Sequence, residues 1–538
     1  VIEAKFRQEI LDWIAKDPDP ATAELLSKWL NEENEIELRK SFSGFLEFGT
    51  AGLRGPVRPG PSGMNRAVVG RTAAGISAFM KSRDLSKVII GRDARHGSAA
   101  FMDESAAIFA GAGLEVHLLP QELPTPVLAF AVNAMNMDCG VMITASHNPA
   151  IDNGYKVYFG NSVDGIAYRG SQIISPADGD ISREISKVFL PSPRGTSSKI
   201  VDEEVIERYI SVSAASLTES ADQKIVYTAL HGVGTQTLLS VFERANFSKP
   251  VLVEEQAAPN PDFPTVAFPN PEEKGAIDLA IQLATKESAD LVIANDPDAD
   301  RCAIAAKDPA GIWRMLRGDE LGTLLGYHIA KNRELKGRAF ATTIVSSSAL
   351  SKIAAKAGVH FVETLTGFKW ISKVPNLAFG YEEAIGYCVD PEAVNDKDGI
   401  SAALKIAAIN SELIANGSNV FKYLDQIWEE IGYHRTEQLA IRVSDLTIIK
   451  KILSDLAKNP PVTIAGRAVT SFEDLMANRL PTEGFRIRCG ENIRVIVRPS
   501  GTEPKLKTYI EVVERKDIAD TLVKNISVEF AALFARYC

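Results

Sequence analysis

Cysteine is scarce: the 538 residues hold five, Cys139, Cys302, Cys388, Cys489 and Cys538, all far apart and with no C-x-x-C pair. That spacing fits neither a zinc site nor a disulfide-built scaffold, and a reducing cytoplasm is the simplest home. No run approaches 18 apolar residues, so no transmembrane helix is expected. Low-complexity tracts and short repeats are also missing. Basic charge is in deficit, with 59 Lys and Arg against 69 Asp and Glu and a net charge of −10. This balance argues against a chain-wide nucleic-acid surface but leaves room for a small cationic pocket that takes an anionic substrate. Glu3, Lys5, Arg7 and Glu9 spoil a secretory leader, and Val1 in place of Met fits a processed or trimmed start.

What is present is globular in character: 45% hydrophobic and 24% charged residues. At roughly 150 residues per domain the length predicts about three or four domains. Short apolar runs followed by amphipathic stretches recur along the chain. Val88–Ile90 leads through a helical stretch at 101–111 to Leu114–Leu119, and Ile225–Leu230 leads through 237–245 to Val251–Val253. Leu291–Ala294 reads as a strand, and Ala339–Val345 leads through 349–357 to His360–Val362. Units of this kind in series predict several α/β layers. The segments 192–198 and 259–271 read as loops. From about Gln438 the texture changes to strands at 439–443 and 493–497 with helices at 448–457 and 518–534, a smaller α+β unit.

Four clusters carry chemistry, each at the end of a predicted strand, where ligand sites of open α/β sheets collect. The first is Thr144-Ala145-Ser146-His147-Asn148-Pro149, followed by Asp152–Lys156. Ser146 is a candidate nucleophile with His147 or Lys156 for proton transfer, or else a serine that merely caps a turn. The G-x-S-x-G signature of a hydrolase elbow is lacking. The second is Asp296-Pro297-Asp298-Ala299-Asp300-Arg301, whose alternate carboxylates can converge on one hard cation. An EF-hand would need glycine and glutamate where Arg301 and Lys307 stand. The third, Gly380–Tyr387, sets Glu382 and Glu383 between glycines and aromatics, a combination suited to sugar hydroxyls; Thr364–Lys369 lies just upstream. The fourth, Arg498–Lys505 with Lys507 close behind, combines hydroxyls, a glycine and cations into a phosphate cradle. A weaker cluster, Gly49–Gly55, offers Arg54 among glycines.

Together these loops resemble the α-D-phosphohexomutase superfamily, which includes phosphoglucomutases and phosphomannomutases. The resemblance runs from Gly49 to beyond Lys507, with all four motifs in the family's order. It implies an α/β fold of four domains around a central cleft. Three would be related α/β domains with mixed sheets, and the last an α+β domain like the TATA-binding-protein fold. We place them at 1–210, 211–325, 326–437 and 438–538. The resemblance further implies a mutase that interconverts hexose 1-phosphate and hexose 6-phosphate, glucose or mannose, through a phosphoserine enzyme and a sugar bisphosphate. Ser146 would carry the phosphoryl group, and Asp296, Asp298 and Asp300, with a phosphoserine oxygen, would hold Mg²⁺. Glu382 would contact the sugar, beside Thr366, Gly367, Lys369 and Ala384. Arg498, Ser500, Gly501, Thr502 and Lys507 would clamp the phosphate that is not transferred. Arg54, His147, Lys156 and Arg301 would line the cleft, the proton acceptor being His147 or Lys156. The implied partners are small sugar phosphates, with a sugar bisphosphate as activator, no nucleic acid or membrane, and a monomer or homodimer.

Two departures bear on the substrate and the metal. Many hexomutases have serine where this chain has Ala384, and the sugar loop looks closer to the branch with phosphopentomutases and some bacterial phosphomannomutases. Pro297 and Ala299 replace common glycines, while the three aspartates remain. Competing readings are a phosphopentomutase, a sugar-bisphosphate synthase, an aspartyl-nucleophile phosphatase built on Asp296, and a sugar-phosphate sensor without turnover.

Overall fold

The computed structural model describes residues 2–49, 52–215, 223–443, 445–500 and 505–537. Three helices, Ala4–Ile14, Pro20–Asn31 and Glu35–Ser41, come first and close over Ile10, Leu26, Leu30 and Leu38. The second starts where Asp19 caps the Ala21 N–H and Pro20 takes the first helical position, which has no N–H to lose.

Three mixed sheets follow, and their shared plan positions everything else. The first sheet sets Glu115–Glu122, Lys87–Arg92, Cys139–Ile143 and Asp152–Phe159 side by side in that order. The first three are parallel and the fourth antiparallel. The second sheet repeats this order with Val251–Leu252, Ile225–Thr228, Leu291–Asn295 and Cys302–Lys307. The third repeats it again with His360–Thr364, Ala339–Thr343, Leu377–Glu382 and Gly386–Cys388. The central strands Cys139–Ile143 and Leu291–Asn295 are buried along their whole length, as expected for a parallel sheet covered on both faces. Helices supply the cover: Ser98–Gly111 and Thr125–Ala134 on the first sheet, Asp278–Lys286 on the second, Ala349–Ala357 on the third.

The fourth unit is different. Its five strands, His434–Arg442, Lys505–Val513, Ile493–Pro499, Phe485–Cys489 and Ser471–Asp474, are antiparallel throughout. Helices Leu446–Lys458 and Lys516–Phe534 bury Ile449, Leu453, Val523 and Phe530 against it. The alternating burial of Phe485–Cys489 is that of a sheet with one face covered.

The segments 192–198 and 259–271 are loops, as the sequence predicts. The boundaries placed after 210, 325 and 437 fall inside regular elements: helix Glu204–Ala214, helix Gly318–Asn332 and strand His434–Arg442. None of the three contains a proline.

Candidate active site

In each of the first three sheets the last parallel strand turns back into an antiparallel neighbour, and the connecting loop is one of the clusters singled out above. Ser146 lies between Cys139–Ile143 and Asp152–Phe159, and the aspartate trio between Leu291–Asn295 and Cys302–Lys307. Glu382–Gly386 turns between Leu377–Glu382 and Gly386–Cys388. Each turn holds one non-glycine residue in the left-handed region: Ser146, Ala299 and Ile385, all at φ 53°. This backbone costs an L-residue energy, most of all β-branched Ile385, and is kept where the surroundings over-determine it. The fourth cluster lies between the antiparallel strands Ile493–Pro499 and Lys505–Val513.

The turns of the first two sheets meet. Ser146 Oγ donates to Asp296 Oδ2 at 2.7 Å and lies 3.2 Å from His147 Nδ1. Lys156 Nζ, 3% exposed, reaches across to donate to Asp298 Oδ2 at 2.6 Å and Asp300 Oδ2 at 2.9 Å. Thr125, at the start of its helix, also holds Asp298 twice, through Oγ1 to Oδ2 at 2.6 Å and through its N–H to the carbonyl at 2.9 Å. From the third unit Lys397 Nζ approaches Asp300 Oδ2 to 3.3 Å. Gly399 allows this approach: a Cβ there would stand 2.2 Å from the Arg301 carbonyl oxygen.

One carboxylate oxygen from each of Asp296, Asp298 and Asp300 falls within a 4.8 Å cluster, all three residues buried. Asp298 Oδ1 and Asp300 Oδ1 are buried without a hydrogen-bond partner. Two orphaned anionic oxygens beside a third carboxylate are what a hard divalent cation such as Mg²⁺ would satisfy. The titration of the trio agrees. Burial, then repulsion from Asp298 and Asp300, pushes Asp296 well above the usual carboxylate range. Burial works the same way on Asp298, but the Lys156 ammonium overrides it and holds that carboxyl low. Without a further cation the site does not tolerate its third negative charge cheaply.

Positive charge surrounds this centre. The Arg301 N–H donates to Asp296 Oδ1 at 3.0 Å, and its guanidinium faces Glu272 at 3.9 Å. Arg54 sits on strand Leu53–Pro56 opposite Gly154 and adds its field to that of Arg301. Burial, then these two guanidinium groups, keeps the His147 imidazole well below its usual pKa and therefore neutral near pH 7.

On the sugar-loop side, Glu382 Oε1 accepts the Gly367 N–H at 3.0 Å, which ties Thr366 and Gly367 to the turn. Burial brings the Lys369 amine down to about 8, against Asp178 and Glu382. Ala384, in the turn itself, offers only a methyl group. Glu383 is engaged by Ser346 Oγ at 2.9 Å and Thr343 Oγ1 at 3.2 Å. In the last unit Arg498 and Lys507 stand directly opposite each other on paired strands, and the Ser500 N–H donates to the Lys505 carbonyl at 2.8 Å. Like charges opposed in this way repel, and an anion between them would relieve the repulsion. Arg498 Nε is also buried without a partner. Gly501 and Thr502 lie outside the described residues.

Three residues at this centre escape the sequence reading: Thr125, Lys397 and Arg95. Arg95 follows Gly91-Arg92-Asp93 at the end of strand Lys87–Arg92, the same strand-end signal that marked the other loops, whereas Thr125 and Lys397 have no local signature. Among the described residues no helix is long and apolar enough to cross a membrane.

Comparison with known proteins places this geometry. The phosphoglucomutase/phosphomannomutase alpha/beta/alpha domains I, II and III match residues 46–176, 204–311 and 317–431, and the C-terminal domain of that family matches 449–527. A probable phosphomannomutase of Haemophilus influenzae is 45% identical over 84% of this chain and 93% of its own length. A phosphopentomutase of Homo sapiens is 36% identical over 95% of this chain and 92% of its own. The crystal structure of a putative phosphomannomutase from Thermus thermophilus superposes with a TM-score of 0.71 at 22% identity, covering 90% of this chain and 98% of that one. The chain belongs to the phosphoglucomutase/phosphomannomutase family and is a phosphosugar mutase, an intramolecular phosphotransferase for small sugar phosphates.

Proposed function

We propose that the protein interconverts hexose 1-phosphate and hexose 6-phosphate, glucose or mannose, with Ser146 as a reversible phosphoryl carrier and a sugar bisphosphate as intermediate and activator. The observation that carries this reading is the contact of Ser146 Oγ with Asp296 Oδ2 at 2.7 Å, which sets a nucleophilic oxygen against the metal-binding trio across 150 residues of sequence. Asp296, Asp298 and Asp300, with an oxygen of the phosphorylated Ser146, would hold Mg²⁺. Bound there, the ion supplies charge neutralisation for the transferring phosphoryl group.

In the forward step the bond from phosphorus to Ser146 Oγ breaks as a bond forms to the free sugar hydroxyl. The proton released by that hydroxyl ends on Ser146 Oγ. Lys156, Lys397 and Arg301 stabilise the phosphoryl oxygens by charge, since such transfers depend on positioning and electrostatics. Between the two proton acceptors the geometry favours His147. Its imidazole is neutral and 3.2 Å from Oγ, so it can take the serine proton when Oγ attacks in the return step. Lys156 already donates to two carboxylates and acts as a fixed cation. Glu382 and Lys369 would bind the sugar. Arg498, Ser500 and Lys507, with Gly501 and Thr502, would hold the idle phosphate while the bisphosphate turns over between steps.

A second reading, interconversion of ribose or deoxyribose 1- and 5-phosphates, is favoured by Ala384, which offers no hydroxyl to a sugar. The phosphopentomutase relative, which spans more of the chain than the phosphomannomutase relative, points the same way. Four buried free thiols, Cys139, Cys302, Cys388 and Cys489, suit a cytoplasmic location. The deciding experiment is product identification with a panel of hexose and pentose phosphates, on protein whose Ser146 phosphorylation is checked by intact mass. Ser146→Ala is expected to lose at least about 1,000-fold in turnover. Full activity in that variant would replace the mutase mechanism with one carried by Asp296, and turnover of pentose phosphates alone would replace the substrate.

A further inference from the structure

Behind the Ser146 turn lies a buried guanidinium that the mechanism above does not use. Arg95, its side chain 1% exposed, points its fork into the concave side of the loop that carries the nucleophile. One terminal nitrogen donates to the carbonyls of Ser146 at 2.7 Å and Asn148 at 2.6 Å. The other donates to those of Pro149 at 2.8 Å and Asp152 at 3.0 Å. Asp93 pairs with the fork by charge from the other side, its Oδ2 3.4 Å from Nε, and its Oδ1 accepts the Arg95 backbone N–H at 2.9 Å. The second unit closes over the guanidinium with the Phe263 ring, 4.8 Å from its carbon, and the neighbouring His96 bonds Asp262 at 2.7 Å.

We propose that Arg95 is a positioning residue for phosphoryl transfer: by gathering four backbone carbonyls it holds Ser146 in its left-handed conformation with Oγ aimed at the metal-binding aspartates. The inference rests on the reading of Ser146 as phosphoryl carrier. Within the turn the Asp152 N–H reaches the Pro149 carbonyl at 3.0 Å, and a planar, multiply donating cation gathers all four carbonyls at once. A lysine at this position would bring three tetrahedral donors on a point charge and could not reproduce the fork. Arg95 donates to none of the three metal-loop carboxylates and to no group of the sugar loop. Its loss therefore acts on the nucleophile and leaves in place the three aspartates that would bind metal in the unphosphorylated protein, and the sugar loop.

The test compares Arg95→Lys and Phe263→Leu with the parent chain. Turnover is expressed per folded molecule, alongside KM, the melting temperature, and Mg²⁺ binding measured by calorimetry without substrate on protein whose Ser146 is unphosphorylated. Arg95→Lys is expected to lower kcat about 100-fold, the size of effect that follows when a reacting atom is misplaced by about 1 Å. Its KM and Mg²⁺ affinity stay within about twofold of the parent, since neither ligand touches Arg95. Phe263→Leu removes the cover and leaves the four carbonyl bonds, so its melting temperature falls while kcat stays within about threefold. Parent-like kcat per folded Arg95→Lys molecule, or a proportionate loss of Mg²⁺ binding, overturns the proposal. Should Arg95→Lys not fold, Asp93→Asn frees the fork without deleting it: a kcat reduced about tenfold at unchanged KM is expected, and a parent-like kcat refutes the proposal. Ser146→Ala separates the two layers. If that variant stays active, the carrier reading fails; if it is inactive while the Arg95 variants keep their kcat, only the present inference fails.

Discussion

Lys156→Met isolates the electrostatics of the centre. In the structure the Lys156 ammonium is 3% exposed and serves two buried carboxylates, at 2.6 and 2.9 Å. Unit charges about 4 Å apart are worth about 4 kcal/mol at an effective dielectric near 20, and here two such pairs share one cation. Part of this is cancelled by dehydration of the ammonium, so truncating one partner of a buried pair costs about 3–5 kcal/mol, most of it from the charges left behind. Methionine keeps the length and the apolar contacts of the stem, which confines the change to charge. In EDTA the variant is expected to unfold at clearly lower temperature and urea concentration than the parent. Added Mg²⁺ should restore a larger share of stability to the variant, because the ion now meets a trio no longer neutralised by the lysine. Calorimetric scans of both proteins with EDTA and with MgCl₂ give the four midpoints needed. Equal midpoints for parent and variant in EDTA, or an identical Mg²⁺ shift in both, would refute the reasoning.

Gly399→Ala places a Cβ 2.2 Å from the Arg301 carbonyl and 2.7 Å from that of Ala299, so the turn that carries the aspartate trio must move; Mg²⁺ binding by calorimetry is expected to weaken at least about tenfold, and parent-like affinity would contradict the packing argument. Glu511 joins the third and fourth units, accepting from Ser347 Oγ at 2.7 Å, the Ser348 N–H at 2.7 Å and Arg494 at 2.8 Å. Burial opposes its charge, but Arg494 and His434 hold the carboxyl far below its ordinary value. Its contribution is therefore present above about pH 4.5 and lost as pH falls toward the folded-state value, so Glu511→Gln should lower the melting temperature at pH 7 and narrow the gap to the parent in acid. Lys373 spans the first and third units, donating to Ser171 Oγ at 2.5 Å and the Gln172 carbonyl at 2.9 Å, and burial brings its amine from 10.5 down to about 7. Between pH 7 and 10.5 the unfolded chain binds the proton and the folded one does not, so this residue makes stability rise with pH across that window; denaturant titrations of Lys373→Met should lack that rise, and an unchanged slope would exclude it.

Much of the candidate site is local and was legible without coordinates. A buried apolar run such as Cys139–Ile143 or Leu291–Asn295 announces a strand, and the residues that follow must form its exposed end, so Ser146, the aspartate trio, the sugar loop and Arg498 could be marked as chemistry at strand ends. The single order of strands used three times was not legible as a repeat, because a sheet layer asks only for apolar side chains at buried positions and many sequences meet that demand. The divisions placed after 210, 325 and 437 cut through the regular elements Glu204–Ala214, Gly318–Asn332 and His434–Arg442, which hold no proline to mark them. What only the tertiary structure decided is which groups meet: Thr125 and Lys156 on Asp298, Lys397 on Asp300, and Arg95 beneath Ser146. A sequence states which charges and donors the chain owns. Their energies depend on separations of a few ångströms in a medium shielded from water, and those separations exist only after sheets far apart in the chain have packed together.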